Sequence, residues 1–367
     1  MRVLYGVVGE GLGHATRSRV VAERLLERRD EVKMVASGQA LPYLQQYLPD
    51  VEEIWGTSFV LEQGEVKRWK TFSSNVRGGA KRVPQSWSTG AAIARAYAPD
   101  LVLTDFDAFS YLYAKRFRKP VISIGNMDMV GRCKHDAEIL RGLRPDYVTA
   151  RAYVNTKLPR ADHYVIATLF RPRVRLRRTT LAPPLLRPEI FEARPERGDH
   201  LLVYGRIGDA AIAVLDASGL PCLIYGARDG LTEDAREGSL FYRPFSNEGF
   251  IDDLRRARGV VAAAGHSLMS EAVYLHKPML ALPLAGQFEQ GMNARYLERM
   301  HYGTWATNLD EPALERFLER EPLHELALAE YEQDGNVETL RTIEQVIEAG
   351  MPLVRTCHVP SCRPSPA

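Results

Sequence analysis

Short apolar runs alternate with helix-like stretches along most of this chain, and the alternation occurs twice. In the first half the runs fall at 3–8, 32–36, 101–104, 120–124 and 163–167. In the second half they fall at 200–204, 221–225, 239–242, 259–263 and 278–282. Apolar strands separated by helices form βαβ units, whose parallel sheets are covered by helices on both faces. The pattern therefore predicts an α/β protein with two doubly wound domains.

A proline-rich segment separates the two halves. Residues 182–198 read APPLLRPEIFEARPERG and contain four prolines without apolar periodicity, which is typical of a semi-rigid linker. We therefore predict an N-terminal Rossmann-like domain over 1–181 and a C-terminal one over 199–350. The polar segment 351–367 is predicted to be a disordered tail, and its CHVPSC sequence fits no standard zinc spacing.

The composition excludes several classes of protein. A chain of 367 residues is longer than a single core usually grows, which favours two domains. No run approaches the roughly 18 apolar residues that a membrane span needs, and the N-terminus does not resemble a secretory signal. Four cysteines give no disulfide framework. The cytoplasm is therefore the expected location.

The charge is distributed unevenly between the halves. Residues 1–182 carry a net charge of +12, from 30 Lys and Arg against 18 Asp and Glu, and residues 183–367 carry −10. Four arginines that alternate along one predicted strand face are Arg171, Arg173, Arg175 and Arg177. This pattern indicates either an anionic lipid or membrane surface as a partner, at the inner membrane face, or an ordinary solvated surface. No recognised nucleic-acid module is present, so nucleic acid is not an expected partner.

Residues 9–18, GEGLGHATRS, join the first predicted strand to the first helix. A dinucleotide site would need a different glycine spacing and an acid after the second strand, where this chain has Ser37. A P-loop would need Lys and Ser or Thr after the glycines. The sequence therefore disfavours both a dinucleotide site and a P-loop. It also disfavours a dehydrogenase, because the acid after the second strand is missing. Histidine is the usual general base near neutral pH, so His14 is either such a base or a residue that only packs the turn.

The region 262–303 contains a second glycine turn, AGHS, between a predicted strand and a helix. Gly265, His266 and Ser267 place backbone N–H groups and a hydroxyl at the helix start, which suits a diphosphate. Glu271 follows about one turn later, where a carboxylate reaches the hydroxyls of a ribose. Three polar residues of the following loop, suited to sugar hydroxyls, are Gln287, Glu289 and Gln290.

The sequence SEAVYLHKPMLALPLAGQFEQGMNARYLERMHYG, with the glycine turn before it, resembles the nucleotide-sugar signature of GT-B glycosyltransferases. It is similar to the families of the peptidoglycan N-acetylglucosaminyltransferase and of the plant and macrolide glycosyltransferases, the family 1 and 28 type. The segments GLGH, PDLVLTDFDAFSYLYAKRFRKPVISIGN and APPLLRPEI resemble a little-characterised microbial branch associated with the cell envelope or teichoic acid. The resemblance covers most of residues 1–303.

The resemblance implies a GT-B fold, in which two Rossmann-like domains face each other across a cleft. The C-terminal domain would bind a nucleoside-diphosphate sugar, UDP- or dTDP-linked. The N-terminal domain would bind the acceptor, which is a cell-envelope lipid or glycan or a small natural product. His14 would take the proton from the acceptor hydroxyl. Asp105 would orient His14, as a downstream aspartate orients the histidine in related plant enzymes. A single in-line displacement would invert the anomeric centre without a metal or cofactor.

Further residues are implied on both sides of the cleft. On the donor side they are Gly13, Arg206 at the diphosphate and Phe245 near the base. On the acceptor side they are Trp69, Asp107 and Asn126. The DFD sequence at 105–107 looks like the metal motif of another glycosyltransferase fold, but it lies in the acceptor domain, so no metal is expected there. Plant enzymes have DQ where this chain has FEQ, which leaves the donor preference open.

Two other functions remain open from the sequence. One is a nucleotide-sugar epimerase or hydrolase on the same fold, in which the N-terminal domain acts on the donor itself. The other is a non-catalytic protein that only binds a nucleotide sugar. Turnover of a nucleotide sugar without any acceptor would indicate the first, and binding without turnover would indicate the second.

Overall fold

The first half of the chain folds around a seven-stranded parallel sheet. The structure, a computed structural model, describes residues 1–9, 11–54, 61–62, 65–66 and 87–350. In chain order the elements are β1 (Arg2–Val7), α1 (Leu12–Glu27), β2 (Glu31–Ala36), α2 (Ala40–Tyr47), β3 (Val51–Glu53), β4 (Leu61–Glu62), β5 (Glu65–Val66), α3 (87–97), β6 (Leu101–Asp105), α4 (Ala108–Arg116), β7 (Val121–Gly125), α5 (Asp128–Arg132), β8 (Cys133–Lys134), α6 (Arg144–Lys157), β9 (His163–Ala167), β10 (Arg173–Val174) and β11 (Thr179–Ala182). The strand order is β11-β9-β7-β6-β1-β2-β3, and every pairing in it is parallel.

Both faces of this sheet are buried. Along β1, Val3 and Tyr5 pack with residues of α1 and α2, whereas Leu4 packs on the opposite face with residues of α4 and α5. The whole of β6 and β7 is buried. Strands covered on both faces are apolar throughout rather than alternating, which explains the continuous apolar runs of the sequence.

The second half repeats this architecture. In chain order its elements are α7 (Pro188–Glu192), β12 (Leu201–Tyr204), α8 (Asp209–Ala217), β13 (Cys222–Tyr225), β14 (Ala235–Glu237), β15 (Leu240–Arg243), α9 (Asn247–Arg256), β16 (Gly259–Ala262), α10 (His266–Tyr274), β17 (Met279–Ala281), α11 (Phe288–Arg299), β18 (Gly303–Trp305), α12 (Glu311–Glu319), α13 (Glu321–Ala329) and α14 (Val337–Gly350). The strand order is β14-β15-β13-β12-β16-β17-β18, with only the β14–β15 pair antiparallel. The predicted α/β class with two doubly wound sheets is confirmed.

In each sheet the strand order reverses beside the first strand. β1 pairs with β2 on one side and β6 on the other, and β12 pairs with β13 and β16 in the same way. The loops that follow two such central strands leave in opposite directions and open a crevice at the carboxyl ends of the strands. Ligands of doubly wound folds bind in that crevice, so the two crevices are the places to search for a site.

The last helix, α14, returns to the first sheet. Ile343 and Ile347 belong to the apolar cluster of β1 and α1. Thr339 Oγ1 donates to the Pro183 carbonyl at 2.8 Å, and Arg24 pairs with Glu344 at 2.8 Å. Helix α14 lies within the range predicted for the C-terminal domain, yet it makes these contacts with the N-terminal half. The domain limits drawn from the sequence stay a prediction.

The arginine-rich segment 171–177 is not one strand. Only Arg173–Val174 is extended into a strand, β10, because its partner β8 is itself two residues long. The arginines of this segment are nevertheless exposed, at 171, 173, 175 and 177. The prediction of a continuous strand here is wrong, whereas the basic surface is present.

Helix α11 of the second half packs against the first half. The rings of Tyr296 and Phe170 stack with centroids 4.8 Å apart. His135 lies on the other side of Tyr296, with Nδ1 2.8 Å from the tyrosine hydroxyl. Because His135 Nε2 lies 3.1 Å from the Met129 carbonyl and donates to it, Nδ1 accepts from Tyr296. Apolar packing and a buried hydrogen bond thus join the two halves beside the crevices.

Candidate active site

Three neighbouring strands of the first sheet bring the N-terminal part of the site together. β1 lies beside β6, and β6 lies beside β7. The turn after β1 leads into α1, Asp105 is the last residue of β6, and Asn126 directly follows β7. Because all three strands are parallel, their carboxyl ends meet at one edge of the sheet, and the side chains that follow them are neighbours.

The structure places the two predicted catalytic residues in contact. His14 lies in the first turn of α1, and its Nδ1 is 2.9 Å from Oδ1 of Asp105. The Asp105 side chain is fully buried, whereas 14% of the His14 side chain is exposed. When Nδ1 carries its proton toward Asp105, Nε2 is left with a free lone pair. A carboxylate that orients a histidine in this way is an arrangement found in general bases, so the geometry is compatible with the predicted role of His14.

Arg17, which was not predicted from the sequence, binds the same carboxylate. Its Nε donates to Asp105 Oδ2 at 2.6 Å, and its Nη2 donates to Oδ1 at 2.6 Å. Nη2 also lies 2.6 Å from His14 Nδ1. Ser18 Oγ donates to Oδ2 at 3.1 Å. The sequence does contain a signal for this contact. Arg17 follows His14 by three residues, and residues with that spacing share one face of a helix.

The charge of Asp105 follows from these contacts. Burial favours the neutral acid, but the charge of Arg17 and the contacts with His14 outweigh it and lower the pKa of Asp105 to about 2. The nearby Asp128 behaves differently, because burial raises its pKa to about 6 while Ser123 Oγ donates to it at 2.6 Å. Asp105 is therefore ionised over the whole physiological range and can support a histidine that gains a proton.

The start of α10 lies opposite the start of α1. Gly265 is the N-cap of α10 without a side-chain cap, and a Cβ built on it would meet nothing within 4 Å. The first N–H groups of a helix have no partner within it, so this end is suited to an anion. A Cβ on Gly13 would come within 2.3 Å of Ser267 Oγ. Gly13 of the first half is therefore a close neighbour of Ser267, which lies two residues after Gly265 in the second half.

His266 joins the halves instead of facing solvent. Its Nε2 accepts a hydrogen bond from the Leu169 N–H at 3.2 Å, and its ring lies edge-on to Phe170. Burial, and after it the charge of Arg17, lower the pKa of His266 to about 3. The imidazole is therefore neutral at physiological pH.

Glu271, the predicted ribose ligand, is held by a residue of the linker. Arg187 donates from Nε to Oε1 and from Nη2 to Oε2, both at 2.8 Å. Its Nη1 donates to Asn247 Oδ1 at 2.6 Å. Arg187 was not predicted from the sequence, because 84 residues separate it from Glu271 and no helical or strand periodicity relates them.

The first turn of α11, where Glu289 and Gln290 lie instead of in the predicted loop, contributes one residue that reaches the first half. Glu289 Oε1 accepts from Asn126 Nδ2 at 2.8 Å, so a predicted donor-side residue and a predicted acceptor-side residue are in contact. Gln290 Oε1 instead accepts from the Leu284 N–H at 2.9 Å. Gln287 is the N-cap residue of α11 and makes no side-chain cap bond.

The remaining candidates lie at the edge of the site or outside it. Arg206 is exposed and paired with Asp229 at 2.7 Å, and Phe245 is 55% exposed, with its ring 6.0 Å from that of Phe250. Asp107 caps α4 by accepting from the Ser110 N–H at 2.7 Å. Trp69 and the tail 351–367 lie outside the described residues.

The described residues contain neither a group of metal ligands nor a helix that could span a membrane. In those ranges, no three His, Cys, Asp or Glu side chains are grouped so that they could hold a metal ion. Among the helices of the same ranges, none has the length and apolar character of a membrane span.

Two doubly wound domains that face each other have the architecture of the GT-B fold. The chain belongs to glycosyl transferase family 1, whose model matches residues 1–322. The predicted family and fold are confirmed, and the coarse activity follows from them: the protein is a glycosyltransferase.

Known proteins agree with this assignment. An uncharacterized glycosyltransferase of Methanosarcina acetivorans is 23% identical over 339 residues, which cover 83% of this chain and 85% of the relative. A UDP-glucosyltransferase of Polygonum tinctorium capable of glucosylating indoxyl has a TM-score of 0.65 at 14% identity, with 95% of this chain and 98% of that chain covered. MurG of Acinetobacter baumannii has a TM-score of 0.60 at 13% identity, with 94% and 99% covered. At such identities the two structures show the fold alone.

The neutral state of His266 generates a prediction about pH. Between pH 6.5 and about 3, the unfolded chain binds a proton at this histidine and the folded chain does not, so the free energy of unfolding falls as the pH falls. One such group changes it by about 1.4 kcal/mol per pH unit. His266→Gln keeps an acceptor for the Leu169 N–H. Between pH 6 and 5, its free energy of unfolding, measured in urea, should fall less steeply with pH than that of the wild type, by about this amount. Equal slopes for the two proteins would contradict the assignment.

Proposed function

We propose that the protein transfers a sugar from a nucleoside-diphosphate sugar to an acceptor hydroxyl bound by the N-terminal half. The observation that carries this proposal is the 2.9 Å contact between His14 and Asp105 beside the start of α10. Gly13, the neighbour of His14, approaches Ser267 so closely that no side chain fits between them. The base and the helix start that would hold the diphosphate therefore border the same space.

The reaction is a single displacement. His14 Nε2 takes the proton of the acceptor hydroxyl while the hydroxyl oxygen forms a bond to the anomeric carbon. The bond from that carbon to the diphosphate oxygen breaks, and the nucleoside diphosphate leaves with the electron pair. N–H groups at the start of α10 and the Ser267 hydroxyl would stabilise its developing charge, without a metal ion. Attack opposite the leaving group inverts the anomeric centre.

Other predicted residues complete the donor site in this proposal. Glu289 would accept hydrogen bonds from sugar hydroxyls, the Gln287 amide would accept or donate them, and the NH2 group of Gln290 would donate them. Asn126, which contacts Glu289, supports a ligand site beside that residue. Its Oδ1 is buried and has no hydrogen-bond partner among the described residues. Such an atom is unfavourable unless a ligand or water supplies a donor. Arg206 would bind the diphosphate and Phe245 the base at the outer edge.

The acceptor is proposed to be anionic, such as a phosphorylated lipid or a small molecule with an acidic group. The net charge of +12 over residues 1–182 and the exposed arginines between 171 and 177 support this proposal. A lipid acceptor would bring a cytoplasmic protein to the inner membrane face, where basic residues interact with anionic head groups. The surface charge favours anionic over neutral acceptors.

Nucleotide binding tests the donor half of the proposal. A ligand that binds only the folded protein raises its melting temperature, and at a given concentration the rise is larger for a ligand that binds more tightly. In a thermal-shift panel of UDP, dTDP and GDP, the matching nucleotide should raise the melting temperature well above the others. No stabilisation by any of the three would contradict a nucleotide-sugar site.

His14→Ala tests the base. With the donor that the panel selects and an array of anionic and neutral acceptors, release of the nucleoside diphosphate should fall at least about 10²-fold, while the thermal shift with the nucleotide stays unchanged. The exposed His301→Ala is the matched control and should keep the rate. An unchanged rate in His14→Ala would remove the base role, and a product with retained configuration would exclude a single displacement.

Two further controls separate the other functions. Turnover of the nucleotide sugar without any acceptor would identify an epimerase or hydrolase on this fold. Nucleotide binding without turnover of any sugar nucleotide would identify a binding protein. Activity that persists in excess EDTA is expected, because the proposed stabilisation of the diphosphate comes from the chain itself.

A further inference from the structure

A strip of cations lies on the surface of the first half. Its arginines begin directly after Phe170, which packs against the second half, and continue to β11, the edge strand of the first sheet. A lysine of β8, the partner strand of β10, joins them. We call these exposed residues the basic strip: Lys134, Arg171, Arg173, Arg175, Arg177 and Arg178.

Within the part of the chain that the structure describes, no acid neutralises the basic strip. None of its side chains forms an ion pair there, and Arg171 and Arg175 donate only to backbone carbonyls. Exposed arginines of the second half differ, since Arg228, for example, pairs with Glu237 at 2.6 Å. The charge of the basic strip is therefore available to an anion from outside the described residues.

Two cations of the basic strip face each other. β8 and β10 are antiparallel, and their register places Arg173 directly opposite Lys134. Like charges directly opposite each other in a sheet destabilise the pairing, and no acid of the described residues compensates for this repulsion. An anion bound over both cations would remove it. The pairing therefore indicates an anionic partner.

The backbone of the basic strip is held from the inside by Arg132, which is buried. Its Nε donates to Thr179 Oγ1 at 2.7 Å, and its Nη2 donates to the Arg177 carbonyl at 2.6 Å. The Arg132 carbonyl accepts from the Arg175 N–H at 2.9 Å, and its guanidinium lies 3.5 Å from the centroid of the Tyr164 ring. A surface that is ordered before it binds loses less conformational entropy on binding than a flexible basic tail.

The side chains of this surface favour a lipid bilayer over nucleic acid. Proteins that bind single-stranded nucleic acid stack the bases on aromatic rings, and the basic strip contains no aromatic residue. Val174, between two of its arginines, is apolar and 36% exposed. Basic side chains with an apolar one among them match the anionic head groups of a bilayer and the apolar region beneath these groups.

From these observations we infer that the basic strip is a docking surface for an anionic lipid bilayer. The inference goes beyond the proposed function and does not depend on it, because docking requires neither a donor nor an acceptor. Arg171 directly follows Phe170, at the contact between the halves. Docking therefore brings the region beside the candidate site to the lipid head groups.

Sedimentation with vesicles tests the inference on the full chain. Vesicles of phosphatidylcholine alone should leave the protein in the supernatant, whereas vesicles with about one third phosphatidylglycerol should bind it. A change from about 0.1 M to about 1 M salt shortens the screening length from about 10 Å to about 3 Å and should release the protein. Equal binding to both kinds of vesicle, or binding to neither, would overturn the inference.

A triple variant locates the contact. Lys134→Gln, Arg173→Gln and Arg177→Gln together remove three side chains that form no hydrogen bond or ion pair with a described residue. Each basic residue near an anionic surface strengthens binding about fivefold, so the triple variant should bind the anionic vesicles about 10²-fold more weakly. Lys134→Arg, Arg173→Lys and Arg177→Lys together keep the charge and should bind as the wild type does.

A matched control separates the basic strip from the net charge of the first half. Arg29→Gln, Arg95→Gln and Arg118→Gln together remove three exposed arginines of the same half that lie outside the basic strip. The net charge changes by the same amount, yet this control should bind the anionic vesicles nearly as tightly as the wild type. Equal weakening in both triple variants would overturn the assignment to the basic strip.

Three further measurements can contradict the inference. The triple glutamine variant lacks the repulsion between Arg173 and Lys134, so its melting temperature at low salt should equal or exceed that of the wild type. A clear fall would show that these cations stabilise the fold and would overturn the argument. Tighter binding of a single-stranded oligonucleotide than of vesicles, or self-association without vesicles, would also overturn it if either is lost in the triple variant. The partner would then be nucleic acid or a second copy of the chain.

Discussion

The buried carboxylate of Asp105 is the interaction on which the N-terminal part of the site depends. A charge without solvent is stable only when it is paired and hydrogen-bonded, and Arg17 and Ser18 supply those partners. The carboxylate therefore stays ionised and holds His14 by Nδ1. The C-terminal half repeats this arrangement, because Arg187 pairs with the buried Glu271. In both halves an arginine pairs with a buried acidic residue that was predicted for the site.

Packing between the halves turns two separate crevices into one site. The approach of Gly13 to Ser267 sets the two helix starts against each other. Asn126 and Glu289 join the two sides by a hydrogen bond, and the stacked rings of Phe170 and Tyr296 fill the space beside them. Residues far apart in the chain thus meet because each half presents the carboxyl ends of its strands to the other.

Much of this architecture could be predicted from the sequence, and the reasons are local. Buried parallel strands are apolar throughout, so β6 and β9 were found within one residue of their limits. The contact between His14 and Asp105 followed from a family resemblance. Two features could not be predicted: the pairing of Arg187 with Glu271 and the packing of α14 against the first half. Both are contacts between residues far apart in the chain, and no periodicity of the sequence relates them. The prediction of a continuous strand over residues 171–177 was wrong. The alternation of arginines in the sequence does not show that the partner strand, β8, is only two residues long.

The central claim is that His14 and Asp105 act as one unit in proton transfer. It is tested most directly by kcat for His14→Ala, Asp105→Asn and the double variant, with the donor and acceptor that the binding panels select. When two residues act as a unit, removal of either one abolishes most of their joint contribution to the rate, so removal of both costs little more. The account predicts that the double variant is no slower than His14→Ala alone. Losses that multiply, so that the double variant is slower by the product of the two single effects, would contradict it.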